Sequence, residues 1–126
     1  MIVAHGGLAR EYQSAVEHVV GKQDRLVAIA TGPEDDRDAK KHEICAAADA
    51  VDVGDGVVIV TDMFGGSPSN LSLVACRPSD RRILYGANLP MLVKLAKSRH
   101  RDVEDAVQAS LTAGRKYIDS HEGDAS

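Results

Sequence analysis

The sequence predicts an α/β domain: a doubly wound, mainly parallel four-stranded sheet, strand order 2-1-3-4, with helices on both faces. Three observations predict it. Short apolar runs alternate with stretches of helical periodicity along the chain. The strongest run, Val57-Val58-Ile59-Val60, is continuous rather than alternating, as a strand covered on both faces should be. The first three runs each end in a glycine-bearing loop that leads into a helix, the pattern of strand–helix–strand units. At 126 residues, with no linker, repeat or low-complexity stretch, the chain is one domain with enough length to bury its own core.

The elements follow in order. Ile2-Val3-Ala4 is a short first strand ending at His5-Gly6-Gly7. Leu8, Tyr12, Ala15, Val16 and Val19 then fall on one helical face, and Gly21 is the stop. Residues 26–30 form the second strand, closed by Thr31-Gly32-Pro33. The acidic residues Glu34, Asp35 and Asp36 open a second helix, favoured at the positive end of its dipole, that runs to about Val51. Strand 3, residues 57–60, passes through Thr61-Asp62 and Met63-Phe64-Gly65-Gly66-Ser67-Pro68 into a third helix. Residues 82–85 make the fourth strand, and Pro90 opens a helix through about Lys97. Asp102 is the N-cap of the last helix, with Val103, Ala106, Val107 and Leu111 on its inner face. Tyr117-Ile118 is a very short apolar segment. The domain is expected to occupy residues 1–120 and the polar tail, 121–126, to fray.

Composition excludes several function classes. Fifteen Lys and Arg against nineteen Asp and Glu leave a net charge of −4, with both signs interspersed. No basic surface is available to grip nucleic acid or a membrane. Tyr12, Phe64, Tyr85 and Tyr117 are the aromatic residues, too few for a base-stacking platform. Cys45 and Cys76 lie far apart without metal-ligand spacing and read as small buried apolar residues. No apolar run approaches the roughly 20 residues of a membrane span and no leader opens the chain, so no membrane insertion and a cytoplasmic location are expected.

A sheet in this order, a flavodoxin-like half, has its switch point between strands 1 and 3, and ligands bind past the carboxyl ends of the strands there. The residues just past those ends are His5 and Asp62. An imidazole accepts a phosphoryl group on one ring nitrogen when the other is fixed as a hydrogen-bond donor, and a carboxylate does the fixing. Gly65, Gly66 and Ser67, with Gly6 opposite, have the ingredients of an anion cradle: bare backbone, a capping hydroxyl at Ser67, and Pro68 at the first helical position. Met63 and Phe64 follow Asp62 where no core awaits them, which fits a docking patch beside a reactive histidine. His18 and His42 within helices, His100 in a basic connector and His121 in the tail read as surface. No metal site and no cofactor is signalled.

Ala4-His5-Gly6, then Val60-Thr61-Asp62-Met63-Phe64-Gly65-Gly66-Ser67-Pro68-Ser69-Asn70, then Gly86-Ala87-Asn88-Leu89-Pro90-Met91-Leu92 carry a resemblance over nearly the whole chain. The sequence resembles the mannose-family enzyme IIA of the bacterial phosphoenolpyruvate:sugar phosphotransferase system (PTS). The resemblance implies a phosphotransferase with a phosphohistidine intermediate, active in sugar uptake or regulation. His5 would take a phosphoryl group from the phosphocarrier protein HPr on Nε2, with Asp62 on Nδ1, and pass it to an enzyme IIB partner. It also implies a homodimer; in some such dimers a C-terminal strand is exchanged, and the candidate for that strand here is the very short Tyr117-Ile118. Two features depart from the family pattern. Four residues precede His5, so strand 1 is expected to be stunted or to continue upstream. Ala4 stands where a hydroxyl residue is common.

Two other readings compete. A dihydroxyacetone-kinase phosphotransfer subunit would lack the G-G-S-P-x-N block present here. A receiver-like domain phosphorylated on Asp62 would show an acidic pair after strand 1, where this chain has His5-Gly6-Gly7.

Overall fold

A computed structural model of the protein describes residues 1–124. Four parallel strands form one sheet in the order β2-β1-β3-β4: β1 (Ile2–His5), β2 (Ala28–Thr31), β3 (Val57–Thr61) and β4 (Arg81–Leu84). Five helices connect and cover them: α1 (Leu8–Val20), α2 (Arg37–Val51), α3 (Ser67–Ser72), α4 (Leu89–Lys97) and α5 (Val103–Lys116). A short 3-10 turn at Val74–Cys76, which no sequence signal marked, extends α3.

The continuous apolar strands are explained by two cores. Along β1 and β3, Ile2, Ala4 and Val60 face Ala9 and Val16 of α1, Met91 and Leu92 of α4, and Val107 of α5. Their neighbours Val3, Val57 and Ile59 face Ile44 and Ala48 of α2, Leu71 of α3, and Ala75. Successive side chains point to opposite faces, so a strand between two helical layers is apolar at every position. Cys45 and Cys76, expected to be buried, are half-buried on the α2 side of this packing.

Side-chain caps set three of the five helix starts. Asp36 caps α2, its carboxylate accepting the N–H groups of Asp38 and Ala39, so the helix begins after the acidic turn and not within it. Asp102 caps α5 as expected, accepting from Asp105 N–H at 2.8 Å. Asn88 caps α4 through Met91 N–H. The strands lie one or two residues from their expected limits: His5 closes β1, Leu26 and Val27 precede β2, and β4 starts at Arg81 and ends before Tyr85.

Arg81 is almost fully buried. Its guanidinium donates to Asp49 Oδ1 at 2.8 Å, to Asp52 Oδ2 at 3.1 Å and to the Ala75 carbonyl, tying the end of α2 to the start of β4. Tyr117 and Ile118 belong to no strand and are exposed. Of the expected tail, residues 121–124 carry no regular secondary structure, and 125–126 lie outside the described residues.

Candidate functional site

β1 and β3 pair in the register Ile2↔Val60 and Val3↔Thr61, which brings His5 and Asp62 out of the sheet side by side. There the Asp62 carboxylate takes over from the backbone ladder. Oδ2 accepts the backbone N–H of His5 at 3.1 Å and stands 2.8 Å from Nδ1 of the ring. The Asp62 side chain is 10% exposed and the imidazole 45%, so a shielded anion holds the Nδ1 edge of a ring that is itself open to solvent.

Burial pushes the Asp62 carboxyl up, but the hydrogen bonds from the His5 ring and backbone, with the charge of the imidazolium, outweigh it, and the carboxyl is held below its usual value. Asp62 is therefore ionised at neutral pH and can only accept. When the imidazole is neutral, Nδ1 then carries its one ring proton and Nε2 keeps the lone pair.

The Gly65-Gly66 turn faces the ring. Gly65 lies at φ +87°, where a side chain is strained. Gly66 is glycine for a different reason: its φ is an ordinary −84°, but a Cβ there would stand 2.8 Å from Cε1 and 3.2 Å from Nε2 of His5. Three polar groups of this turn are held by α3. Gly65 N–H donates to Ser69 Oγ at 3.0 Å, the Ser69 hydroxyl donates to the Gly66 carbonyl at 3.0 Å, and Asn70 Nδ2 donates to the Gly65 carbonyl at 3.4 Å.

These bonds revise the expected cradle. Gly66, not Ser67, is the cap of α3: its backbone is extended and its carbonyl accepts Asn70 N–H at 3.0 Å. Ser67 is the first helical residue, exposed and beside the ring's wall, and Pro68 follows it instead of leading. Gly65 N–H is already committed to Ser69, and Gly6 N–H to the Thr31 carbonyl at 2.8 Å. Ser69 and Asn70 build the turn, a role that the motif itself does not reveal. An isolated serine one turn into a helix carries no signal of what its hydroxyl will reach.

Met63 is 53% exposed and Phe64 75%. Phe64 stands edge-on to Tyr85, ring centroids 5.0 Å apart, and packs into no core. Leu8 and Leu89, exposed at the starts of α1 and α4, add apolar surface at the same end of the sheet. His18, His42, His100 and His121 are exposed, and among the described residues His5 is the histidine paired with a carboxylate. A cavity of about 180 Å³ opens at the opposite end of the sheet, among Met1, Val58, Leu95 and Arg99. It contains none of the expected site residues, and the reactive geometry lies on an open surface. Among the described residues, no cluster of three or more His, Cys, Asp or Glu is placed to hold a metal ion.

The fold and the sequence together mark a PTS component of the IIA type. A family model described as EIIA-man, PTS system fructose IIA component, matches residues 1–112, and the chain belongs to that family. The mannose-specific EIIAB component of Escherichia coli (strain K12) is 26% identical over 121 residues, 94% of this chain; the chain spans 38% of that protein's length. An EIIA component from Streptococcus agalactiae superposes with a TM-score of 0.78 at 26% identity, covering 94% of this chain and 93% of that one. The mannose/sorbose-specific IIA subunit from Enterococcus faecalis shares the fold, with a TM-score of 0.85 at 20% identity over 98% of this chain and 93% of its own. No helix among the described residues is long and apolar enough to cross a membrane.

Proposed function

We propose that the protein is a cytoplasmic phosphoryl carrier that accepts a phosphoryl group from phospho-HPr on Nε2 of His5 and passes it to an enzyme IIB partner. The observation that carries this reading is the 2.8 Å contact between the shielded Asp62 carboxylate and His5 Nδ1, which leaves the lone pair on the accessible nitrogen. In the forward step the Nε2 lone pair attacks phosphorus as the donor's N–P bond breaks. The bonding pair returns to the donor imidazole, and positive charge develops on His5, where Asp62 stabilises it. The second step reverses these roles toward the IIB acceptor.

Gly66 forms the wall beside Nε2; it and Ser67, which follows it at the start of α3, are the residues expected against the phosphoryl oxygens, with Gly6 and Gly65 shaping the surrounding loops. Met63 and Phe64 supply an apolar rim for transient docking of the carrier proteins. The domain, residues 1–120, works as a homodimer in sugar uptake or its regulation. The receiver-like alternative is disfavoured because Asp62 Oδ2 is already engaged by two His5 donors.

Incubation with phosphoenolpyruvate, enzyme I and HPr tests the proposal. The expected adduct is acid-labile and base-stable, absent from His5→Ala and retained by His18→Ala, His42→Ala and His100→Ala. Persistent labelling of His5→Ala would overturn it.

A further inference from the structure

We propose that Ser69 is a positioning residue for His5, acting through the glycine turn; this rests on the phosphohistidine reading above. The wall beside Nε2 is Gly66, so close that one added methyl would overlap the ring. Two adjacent glycines have no side chains to anchor them and, left alone, sample many conformations. The Ser69 hydroxyl restrains both. It accepts Gly65 N–H and donates to the Gly66 carbonyl, each at 3.0 Å, and so brackets the peptide between them. Asn70 Nδ2 adds a longer bond to the Gly65 carbonyl at 3.4 Å.

Capping of α3 does not require this hydroxyl, because the Gly66 carbonyl already accepts Asn70 N–H at 3.0 Å. Ser69 is itself 2% exposed, and Pro68, Leu71 and Ser72 of the same helix are buried with it. Rigid packing is thus transmitted from the core through one hydroxyl to the turn, and from the turn to the ring. The imidazole is held at Nδ1 by Asp62 and flanked at Cε1 and Nε2 by Gly66. Ser69 touches no reacting atom; it sets the space in which a phosphoryl group on Nε2 must sit.

The test is transfer from phospho-HPr to wild type, Ser69→Ala and Ser69→Thr, with His5 Cε1–H followed by NMR. Loss of the bridge is expected to lower kcat about tenfold, the worth of roughly one net hydrogen bond, with KM for phospho-HPr changed less than about twofold. The Cε1–H resonance should shift in Ser69→Ala, and Ser69→Thr, which keeps a hydroxyl, should restore rate and shift. Wild-type kinetics in Ser69→Ala, or a threonine variant as slow as alanine, would overturn the proposal. Should a thermal melt show Ser69→Ala unfolded, Ser69→Cys, a poor hydrogen-bonding replacement of similar size, carries the same expectation. An unlabelled wild type would instead sink the phosphohistidine reading, and the Cε1–H shift would still decide whether Ser69 governs the ring's surroundings.

Discussion

One oxygen of Asp62, Oδ2, holds His5 at two points: the backbone N–H at 3.1 Å and ring Nδ1 at 2.8 Å. A bond to the ring alone would orient the imidazole. The second bond also fixes where its backbone leaves β1, so strand end and ring are set by the same carboxylate.

Asp62→Asn tests that double role. The exchange is isosteric, so the fold is expected to survive, but one amide atom now replaces Oδ2 at both contacts. As the oxygen it keeps both bonds without the charge that stabilised imidazolium; as the nitrogen it presents N–H to Nδ1, favours the tautomer with its proton on the attacking Nε2, and leaves the His5 backbone N–H without its acceptor. Phosphoryl transfer should fall by up to roughly 10⁴-fold, as when the carboxylate of a hydrolytic triad is neutralised. Rapid-quench kinetics measure it, and a wild-type rate would make Asp62 a mere turn residue.

Gly66→Ala probes the other side of the ring. Its backbone angles accept alanine without strain, so only the methyl's contact with His5 Cε1 and Nε2 is at issue. Labelling of His5 should drop at least about tenfold while the melting temperature changes little. Normal labelling would mean that the turn moves freely away from the ring.

Phe64→Ala should slow transfer from HPr without a core-sized loss of stability. Removing a buried Phe costs about 3–5 kcal/mol. Phe64 is exposed and has an edge-to-face contact with Tyr85, an arrangement worth about 0.5–1.5 kcal/mol. Denaturant melts and steady-state transfer read the two effects separately. A core-sized destabilisation would show that the ring packs rather than docks.

Acid should weaken the fold in a defined window. Asp52 is held below its ordinary value by the Gly54 N–H and by Arg81, and Asp62 is held low despite its burial by its bonds to His5. Carboxyls whose folded pKa is depressed stabilise the fold above their unfolded value, near pH 4, and that stability is lost as pH falls through the lower folded value. Thermal melts from pH 7 to 3 should therefore fall less steeply in Asp52→Asn and Asp62→Asn than in wild type. Parallel curves would contradict the linkage.

Sheet order and the meeting of His5 with Asp62 were legible because strand periodicity and the switch-point rule need only local pattern. Motif wording also located the glycine turn. Details that depend on which side chain reaches which backbone group were not legible. Serine at position 67 and serine at position 69 are the same residue type two positions apart, yet it is the hydroxyl of the second that holds the turn, while the first opens the helix. Arg81 was similarly hidden, since its two carboxylate partners lie about 30 residues away in sequence.

The location of the phosphoryl group is the most direct measurement. The protein, carrying ¹⁵N-labelled histidine, is phosphorylated through HPr and observed by ¹⁵N and ³¹P NMR. The expected spectrum shows phosphorus coupled to Nε2 of His5 with Nδ1 still protonated toward Asp62. A phosphoryl group on Nδ1, on another histidine, or on the Asp62 carboxyl as an acyl phosphate would contradict the assignment.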